Sequence, residues 1–536
     1  MKKLKLVCVA IAMACATPTL AGGLLTNTNQ HVAFNRMMSR EASIGIDGVY
    51  YNPAGVVFMS EGHHLAINWQ LAFQTRTINN DYALFTNNVN NPTTPRDFKG
   101  TAFAPVIPSF QYAYNKGKWS FQASFALTGG GGKCTFDDGL GSFEKIVSET
   151  AIAACGLAGV VDQTLGNTLG QPGMEMFTSD QAFGKTGKYS FNSYMHGRQY
   201  YYGLSVGAAY KFCDNFSAFL GVRGVYALTN YYGYVENINV GNMPLYKVLD
   251  PSKETAANIE LSCDQSGVGF TPIIGVDYKT GRWNFSAKYE FKTRIRLKNK
   301  SVNQTPSIGN LPANLANQMT GILTAKFQQA GLPLEQAKQK AENTTNTVLA
   351  DPKVGATMIG LKTQFDQKLN KAIGEYEDGK KIAGDIPAYL ALGVGYRPVD
   401  AVRVNVGFHW FDDKNATSYN NRNKELKRGT LEYNAGVEVD VNKKITLSTG
   451  WQNTNYGLSD EYMDDKSFVV SSNSVAIGGV YHINKKMDLN VAYFHTFYQH
   501  KKTTETVQLT ADISRNYSSD YTRNNNVFAV GLDINF

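Results

Sequence analysis

Apolar and polar side chains alternate along many segments of this 536-residue chain. The segment 527–536 carries apolar side chains at every second position, with small or polar ones between them, and 283–291, 402–410 and 431–441 repeat the pattern. A period of two is that of a β-strand with one apolar face. Strands of about ten residues can cross a bilayer when tilted. The pattern therefore predicts an all-β protein, a transmembrane antiparallel β-barrel, and disfavours a soluble sandwich of shorter strands.

The composition agrees with a barrel. Aromatic residues make up 12% of the chain and charged residues only 18%, which is typical of an outer-membrane barrel with aromatic girdles. After the N-terminal segment, no stretch approaches the roughly 20 apolar residues of a membrane helix. The formal net charge of +8 is a mild surplus for this length, so we expect no nucleic-acid partner.

The alternating segments number about fourteen and are joined by short turns and long loops in turn. We predict strands near 63–76, 100–115, 119–130, 197–212, 216–238, 264–279, 283–298, 385–397, 402–413, 428–441, 445–457, 472–483, 487–500 and 523–536. One rim of tight turns and one of long loops is the outer-membrane pattern, with the tight turns periplasmic. The terminal Phe536 resembles the segment that the barrel assembly machinery recognises, so that machinery and outer-membrane lipids are expected partners.

The N-terminus predicts export. Lys2, Lys3 and Lys5 precede an apolar run at 6–16, and small residues at 19–21 fit a signal-peptidase site. We predict a signal peptide at 1–21, a mature start at Gly22, and a multi-pass protein of the Gram-negative outer membrane.

Residues 22–62 do not read as a wall strand. They are apolar without alternation, and too apolar for a free periplasmic tail. A fourteen-stranded barrel would also have a lumen wide enough to leak unless something filled it. We therefore predict a hatch at 22–62 that plugs a barrel at 63–536.

The segment 39–55 ends in the turn Asn52, Pro53, Ala54, Gly55. The proline fixes its own φ and restricts the residue before it, and Gly55 permits a tight turn. An ordinary surface turn is the alternative. The segment resembles the hatch of the long-chain fatty acid outer-membrane transporters, the FadL/TodX type, although Gly48 and the large loop at 299–384 depart from that pattern. The resemblance implies that these four residues gate the hatch, and that a hydrophobic ligand is captured at the loops and leaves sideways through the wall.

Two features could serve such a route. The glycine run Gly129, Gly130, Gly131, Gly132 could distort a wall strand and create a lateral opening, the alternative being a flexible loop start. The long loops at 131–196 and 299–384 show helical periodicity, which predicts helices that cap the barrel and leave an apolar ligand groove. Its candidate residues are Leu315, Ile322, Leu361, Phe365 and Leu369.

Four cations could bind a carboxylate head group. Lys288, Lys292, Arg294 and Arg296 share one parity, opposite to Trp283 in the same segment, and would face the lumen together. Pairing with Glu290 or other lumenal acids is the alternative.

The remaining chemistry is sparse. An oxidising compartment permits a Cys134–Cys155 disulfide within one loop. The histidines are scattered, so we expect no metal, no cofactor and no enzymatic activity. The expected function is outer-membrane transport of a hydrophobic molecule, in the first place a long-chain fatty acid. Aromatic hydrocarbons, haem-like ligands, a general porin and a barrel enzyme stay open as alternatives.

Overall fold

The computed structural model describes residues 25–26, 29–306, 310–509 and 513–536. The predicted signal peptide at 1–21 and the predicted mature start at Gly22 lie outside the described residues.

The strands form one antiparallel sheet that closes on itself. Strand β1 pairs with β2 on one side and with the last strand, β18, on the other, from His64 opposite Asn535 to Tyr82 opposite Tyr517. Eighteen strands are described: β1 Gly62–Tyr82, β2 Arg96–Lys116, β3 Trp119–Phe136, β4 Tyr189–Lys211, β5 Phe216–Val240, β6 Met243–Pro244, β7 Ile259–Thr280, β8 Trp283–Glu290, β9 Arg296–Gln304, β10 Lys381–Ala383, β11 Tyr389–Val399, β12 Val402–Phe411, β13 Thr430–Asn442, β14 Ile445–Asn455, β15 Ser472–Asn484, β16 Met487–Tyr498, β17 Lys501–Gln508 and β18 Ser514–Asn535.

These strands make a wall of fourteen. Strands β8 and β9 both pair with β7 and form one wall strand, and β10 and β11 form the next, since they pair with β9 and β8. Strands β16 and β17 both pair with β18 and form another, and β6 is a short addition to β5. The predicted fold class and the fourteen predicted strand positions are confirmed. Several strands extend further toward the loop rim than predicted, because their upper ends carry polar side chains on both faces.

The wall has its apolar face outside. Along β1, Ile67 and Trp69 are exposed, whereas Asn68 and Gln70, which alternate with them, are buried. This arrangement reverses that of a soluble protein, and it is stable only where lipid covers the outer face. Closure of the sheet pairs its first strand, β1, with its last, β18, as a barrel in a bilayer requires.

The two rims differ as predicted. Turns of a few residues join β2 to β3, β7 to β8 and β15 to β16, and Gly117 and Gly281 adopt the positive φ that such turns require. The opposite rim carries long loops with helices, which we call the cap. The α-helices are α1 Val32–Arg36, α2 Gly48–Tyr51, α3 Gly141–Leu169, α4 Tyr246–Leu249, α5 Leu311–Gln329, α6 Leu334–Leu349 and α7 Pro352–Ile373, and the 3-10 helices are Gly55–Phe58, Ala83–Asn87, Gly374–Tyr376, Asp413–Asn415 and Tyr419–Glu425.

The cap has its own apolar core. Leu165 of α3, Met319 and Leu323 of α5 and Val354 of α7 are fully buried in it. Of the helices in the described residues, α3 alone is long and apolar enough to cross a membrane, but half of its most apolar window is buried inside the protein. The periodicity in the two long loops therefore serves mainly to pack the helices against each other.

The described part of the hatch, up to residue 61, lies inside the barrel. Helices α1 and α2 pack together through Phe34 and Tyr51, whose rings stack at 5.6 Å between centroids. Residues of the hatch are buried against the wall, as expected of a plug. Its position at the periplasmic end leaves the upper half of the lumen for the features described next.

Candidate functional site

Buried charges hold the hatch to the wall. Arg36 pairs with Glu438 of β13, and Arg40 of the hatch lies 3.3 Å from the same carboxylate and donates to Asp47 at 2.7 Å. Glu41 meets His409 of β12 at 2.7 Å between Oε1 and Nε2. Because an unpaired buried charge is costly, the wall residues Glu438 and His409 fix the hatch in one position.

The predicted hatch turn is tied to the wall through its side chain. The Nδ2 of Asn52 donates to Asp277 Oδ2 of β7 at 2.6 Å, and its Oδ1 accepts from the Gly55 N–H at 3.2 Å. A Cβ at Gly55 would lie 2.4 Å from Asn52 Nδ2, so a larger residue here would displace the Asn52 amide. Asn52 thus links the turn to itself and to the barrel.

The carbonyls of the turn are bound as well. Gln122 of β3 donates to the Pro53 carbonyl at 2.7 Å, and Ser217 of β5 donates to the Ala54 carbonyl at 2.7 Å. Polar lumenal side chains therefore take over the hydrogen bonds that a turn would otherwise make with water. The structure brings all four predicted hatch residues together against three wall strands.

Lys288 belongs to this anchoring network and is not open to the lumen. Its Nζ donates to the Tyr50 carbonyl at 2.7 Å and to Glu290 at 2.9 Å, while Arg223 binds Glu290 with two hydrogen bonds of 2.6 and 2.9 Å. The alternative of pairing with Glu290 describes this lysine.

The other three cations do not share its face, and the prediction of a common lumenal parity is wrong. On β7, Ile273 lies seven positions after Ser266. Their partners across β8 and β9 are Glu290 and Lys298 respectively, and these lie eight positions apart. The additional residue, in the interruption at 291–295, reverses the alternation.

From residue 292 onward, the predicted cations face outward or contact the cap. Arg294 and Arg296 are exposed, and Arg296 pairs with Asp385 at 2.8 Å. Lys292 donates to the Asn415 carbonyl in a cap loop at 3.1 Å. These four residues therefore do not form one head-group site.

The wall is interrupted between β2 and β3. The two strands pair from Lys116 and Trp119 up to Ser109 and Ala126, and again from Phe103 and Lys133 upward. Between these points, residues 104–108 of β2 form no β-ladder pairs with residues 127–132 of β3. We call this interruption the β2–β3 gap.

The residues at the gap explain why pairing stops. Gly130 and Gly132 have φ of 77° and 71°, and a Cβ on Gly130 would lie 2.4 Å from the Gln199 carbonyl oxygen. On the facing strand, Pro105 and Pro108 have no N–H to donate. The predicted glycine run thus lies at the gap. The two prolines were missed, although proline inside an alternating strand is itself a sign of a broken ladder.

A cavity of about 220 Å³, the lumenal cavity, lies beside the gap. Ala104, Ile107, Gly130 and Gly132 line it from the gap. Phe468 and Val469 line it from above, because the loop 458–471 folds down into the barrel, where the Phe468 ring packs on Tyr521 at 5.0 Å.

Two smaller apolar cavities lie in the cap. The outer one, of about 80 Å³, lies between α3, α5 and α7, and Leu315, Leu361 and Phe365 of the predicted groove line it. The inner one, of about 70 Å³, shares Phe365 with the outer one. Ile322, which is 37% exposed, and the half-buried Leu369 line neither cavity.

The three cavities follow one another. Met195, Tyr231 and Lys466 line both the inner cap cavity and the lumenal cavity. A series of cavities thus runs from the helices of the cap to the gap in the wall, above the hatch.

The predicted disulfide is wrong. Cys134 lies on β3 and lines the lumenal cavity, Cys155 lies on α3 in the cap, and both thiols are free. Burial raises the pKa of the Cys155 thiol, which donates to the Phe183 carbonyl at 3.4 Å. Among the described residues no group of three or more His, Cys, Asp or Glu could hold a metal ion.

No protein-family model and no curated protein matches the sequence. Solved structures do. A FadL homologue of Pseudomonas aeruginosa is 14% identical, with a TM-score of 0.57 over 96% of this chain and 100% of that one. A deltaS2S3 mutant of TodX, described as a monoaromatic hydrocarbon channel, is 12% identical, with a TM-score of 0.51 over 94% of this chain and 98% of that one. Neither is described as an enzyme. The chain therefore has the fold of the FadL- and TodX-type barrels, that of a multi-pass protein of the outer membrane.

Proposed function

We propose that this protein transports hydrophobic molecules across the outer membrane, in the first place long-chain fatty acids, and releases them sideways through the β2–β3 gap. The observation that carries the proposal is the unpaired stretch of wall beside the lumenal cavity. Unpaired strand edges are not tolerated against bare lipid, but they are tolerated where they line a cavity or a bound ligand.

The physics of a greasy ligand favours a lateral exit. Sequestering about fifteen methylenes from water is worth on the order of 12 kcal/mol, at roughly 0.8 kcal/mol each. A channel that released such a chain into the periplasm would be very slow. Release into the lipid beside the barrel avoids that cost.

The series of cavities gives the path. A ligand is captured in the apolar cap cavities, passes Phe468 and enters the lumenal cavity. The hatch closes the axial path below, since Asn52 and the buried charges bind it to the wall. The gap is then the exit from the cavity.

A second candidate is uptake of aromatic hydrocarbons. The TodX structure that shares this fold is described as a monoaromatic hydrocarbon channel, and the apolar lining of the cap cavities suits a ring as well as an alkyl chain.

Vesicles carrying the folded protein test the proposal. Uptake of oleate, toluene and a small sugar is compared between wild type, a Gly130→Val/Gly132→Val variant and a Gly224→Val control. Valine in the gap should favour a regular strand and close it, whereas a Cβ at Gly224 in β5 makes only ordinary contact, at 3.6 Å from Phe270.

We expect faster uptake of oleate than in empty vesicles, lost in the gap variant and kept in the control. Normal oleate uptake by the gap variant would refute the lateral route. Uptake of the sugar alone by the wild type would refute hydrophobic transport altogether.

A further inference from the structure

Two arginines face each other inside the barrel. Arg76 of β1 and Arg523 of β18 are directly opposite in the strand register, and both line the lumenal cavity. Like charges opposite each other across a strand pair destabilise a sheet. The presence of this pair therefore requires an explanation other than the stability of the sheet.

The described contacts of this pair are all with neutral groups. Gln74 Oε1 accepts from Arg76 Nε at 3.0 Å and from Arg523 Nη2 at 2.7 Å, so one amide oxygen bridges the two guanidinium groups. Arg523 Nη1 donates to the Phe468 carbonyl at 3.3 Å, its guanidinium lies 5.2 Å from the Tyr498 ring centroid, and its buried Nε has no hydrogen-bond partner in the described structure.

The lumenal cavity supplies no counter-charge either. Among the described residues that line it there is no aspartate or glutamate, while Lys466 adds a further cation. Elsewhere in the lumen the buried arginines Arg36, Arg40 and Arg223 each have a carboxylate partner. The half-buried Arg76 and Arg523 thus differ from the buried arginines of this lumen, which are neutralised by carboxylates.

We propose that Arg76 and Arg523 form a paired-guanidinium anchor for the acidic head group of an amphiphilic ligand. The inference rests on the proposed transport function and names the residues that would distinguish an acidic ligand from a neutral one at the lumenal cavity. Guanidinium groups bind carboxylates and phosphates through parallel, charge-assisted hydrogen bonds.

The cavity also has a place for the tail. Ala72 lies four residues from Arg76 along β1 and pairs with Ala104 at the gap; at roughly 3.3 Å per residue, that is about 13 Å. Ala104, Ile107, Phe494 and Val527 line this side of the cavity with apolar groups. A ligand whose head is held by the arginines therefore directs its tail toward the gap.

Two guanidinium groups bridged by one amide can neutralise two negative charges. An alkyl phosphate should for this reason bind more tightly than a carboxylate of the same chain length, and the corresponding alcohol should bind least.

The test measures binding of dodecyl phosphate, dodecanoate and dodecanol to the full-length protein in nanodiscs. The variants are Arg76→Gln/Arg523→Gln, which removes both charges, Arg76→Lys, which keeps both charges but only one guanidinium group, and the control Arg294→Gln/Arg296→Gln on the outer surface. Heat-modifiable migration on a gel reports whether each barrel is folded.

We expect the double variant to lose about tenfold or more in affinity for both acids, as for a charged hydrogen bond of about 1.5–3 kcal/mol, with dodecanol unaffected. Arg76→Lys should retain most of the affinity, and the outer control should bind like the wild type. Should the double variant fail to fold, the wild-type preference for the phosphate over the alcohol decides in its place.

Equal losses for dodecanol and dodecanoate, or equal wild-type affinity for the phosphate and the alcohol, would overturn the anchor. In that case, uptake of the three dodecyl ligands by vesicles carrying the wild-type protein, measured in parallel, leaves the transport proposal standing. If wild-type vesicles take up none of them, transport itself fails.

Discussion

The lower and upper halves of the lumen treat buried charge differently. Around the hatch, Arg36, Arg40 and Arg223 each have a carboxylate partner, and the hatch turn is bound through its side chain and its carbonyls. Around the lumenal cavity, the contacts of Arg76 and Arg523 with the described residues are all with neutral groups. In the lower half, carboxylates of the protein itself neutralise the arginines. In the upper half, the arginines are suited to bind a charged ligand.

The largest effect should come from breaking the charge pairing below. Glu438→Ala removes the carboxylate shared by Arg36 and Arg40. Loss of one partner of a buried ion pair costs about 3–5 kcal/mol, so the hatch should loosen while the barrel stays folded. Conductance across a planar bilayer should show new openings. Asp440→Asn, at a partly exposed partner of Arg403, is the control and should stay closed; a closed Glu438→Ala barrel would contradict this account.

A smaller effect is expected at the hatch turn. Asn52→Ala leaves Asp277 with Asn284 as its described amide partner, at 2.8 Å, and a lost hydrogen bond to a buried charged group costs about 1–3 kcal/mol. Uptake of labelled oleate should fall while heat-modifiable migration is unchanged. Equal uptake by variant and wild type would remove the turn's role in gating.

In the upper half, the cap cavities should affect capture more than folding. Phe365→Ala enlarges the space shared by both cap cavities, so uptake should decrease at low oleate concentration and recover when oleate is raised. Ile322→Ala, on the same helical cap but outside both cavities, is the matched control. The two variants would behave alike if the cavities were only packing defects.

The smallest effect concerns pH and the loop above the lumenal cavity. Burial raises the pKa of Asp464 from 3.8 to about 7, against the opposing effect of Arg422. Between these values the folded loop keeps a proton that the unfolded loop has lost, so its stability is full below about pH 4 and declines as the pH rises toward 7. The protection of 458–471 against hydrogen exchange, taken relative to the intrinsic exchange rate at each pH, should be lower at pH 7 than at pH 5. Asp464→Asn should remove the difference; a difference that persists in this variant would assign it to another group.

Much of the wall could be predicted from the sequence, because lipid outside and polar groups inside impose a strict period of two. Where that constraint ends, the sequence predicts less accurately. Strand β18 begins at Ser514 among polar residues, whereas the sequence analysis predicts its start near 523. The interruption at 291–295 adds one residue, which leaves no trace in composition but reverses the face of Arg294 and Arg296.

The candidate site was only partly predictable for a similar reason. The hatch turn and the glycine run are local patterns; the first contacts the wall and the second borders the β2–β3 gap, and their roles in transport stay predictions. Arg76 and Arg523 lie at opposite ends of the chain, and only closure of the barrel makes them neighbours. A signal was present, because Arg523 has the parity opposite to the outward-facing Phe528 and Val530.

The pairing of the first wall strand with the last has a consequence for the order of assembly. β1 directly follows the hatch, and its partner β18 ends one residue before the C-terminus. The seam cannot form until β18 has been synthesised, and by then the hatch is already attached to one of the two edges of the seam. Arg36, Arg40 and Asn52 reach partners on the inner side of the finished wall, so we expect the hatch to be inserted before the seam joins. We therefore expect insertion of the hatch and sealing of the barrel to depend on each other.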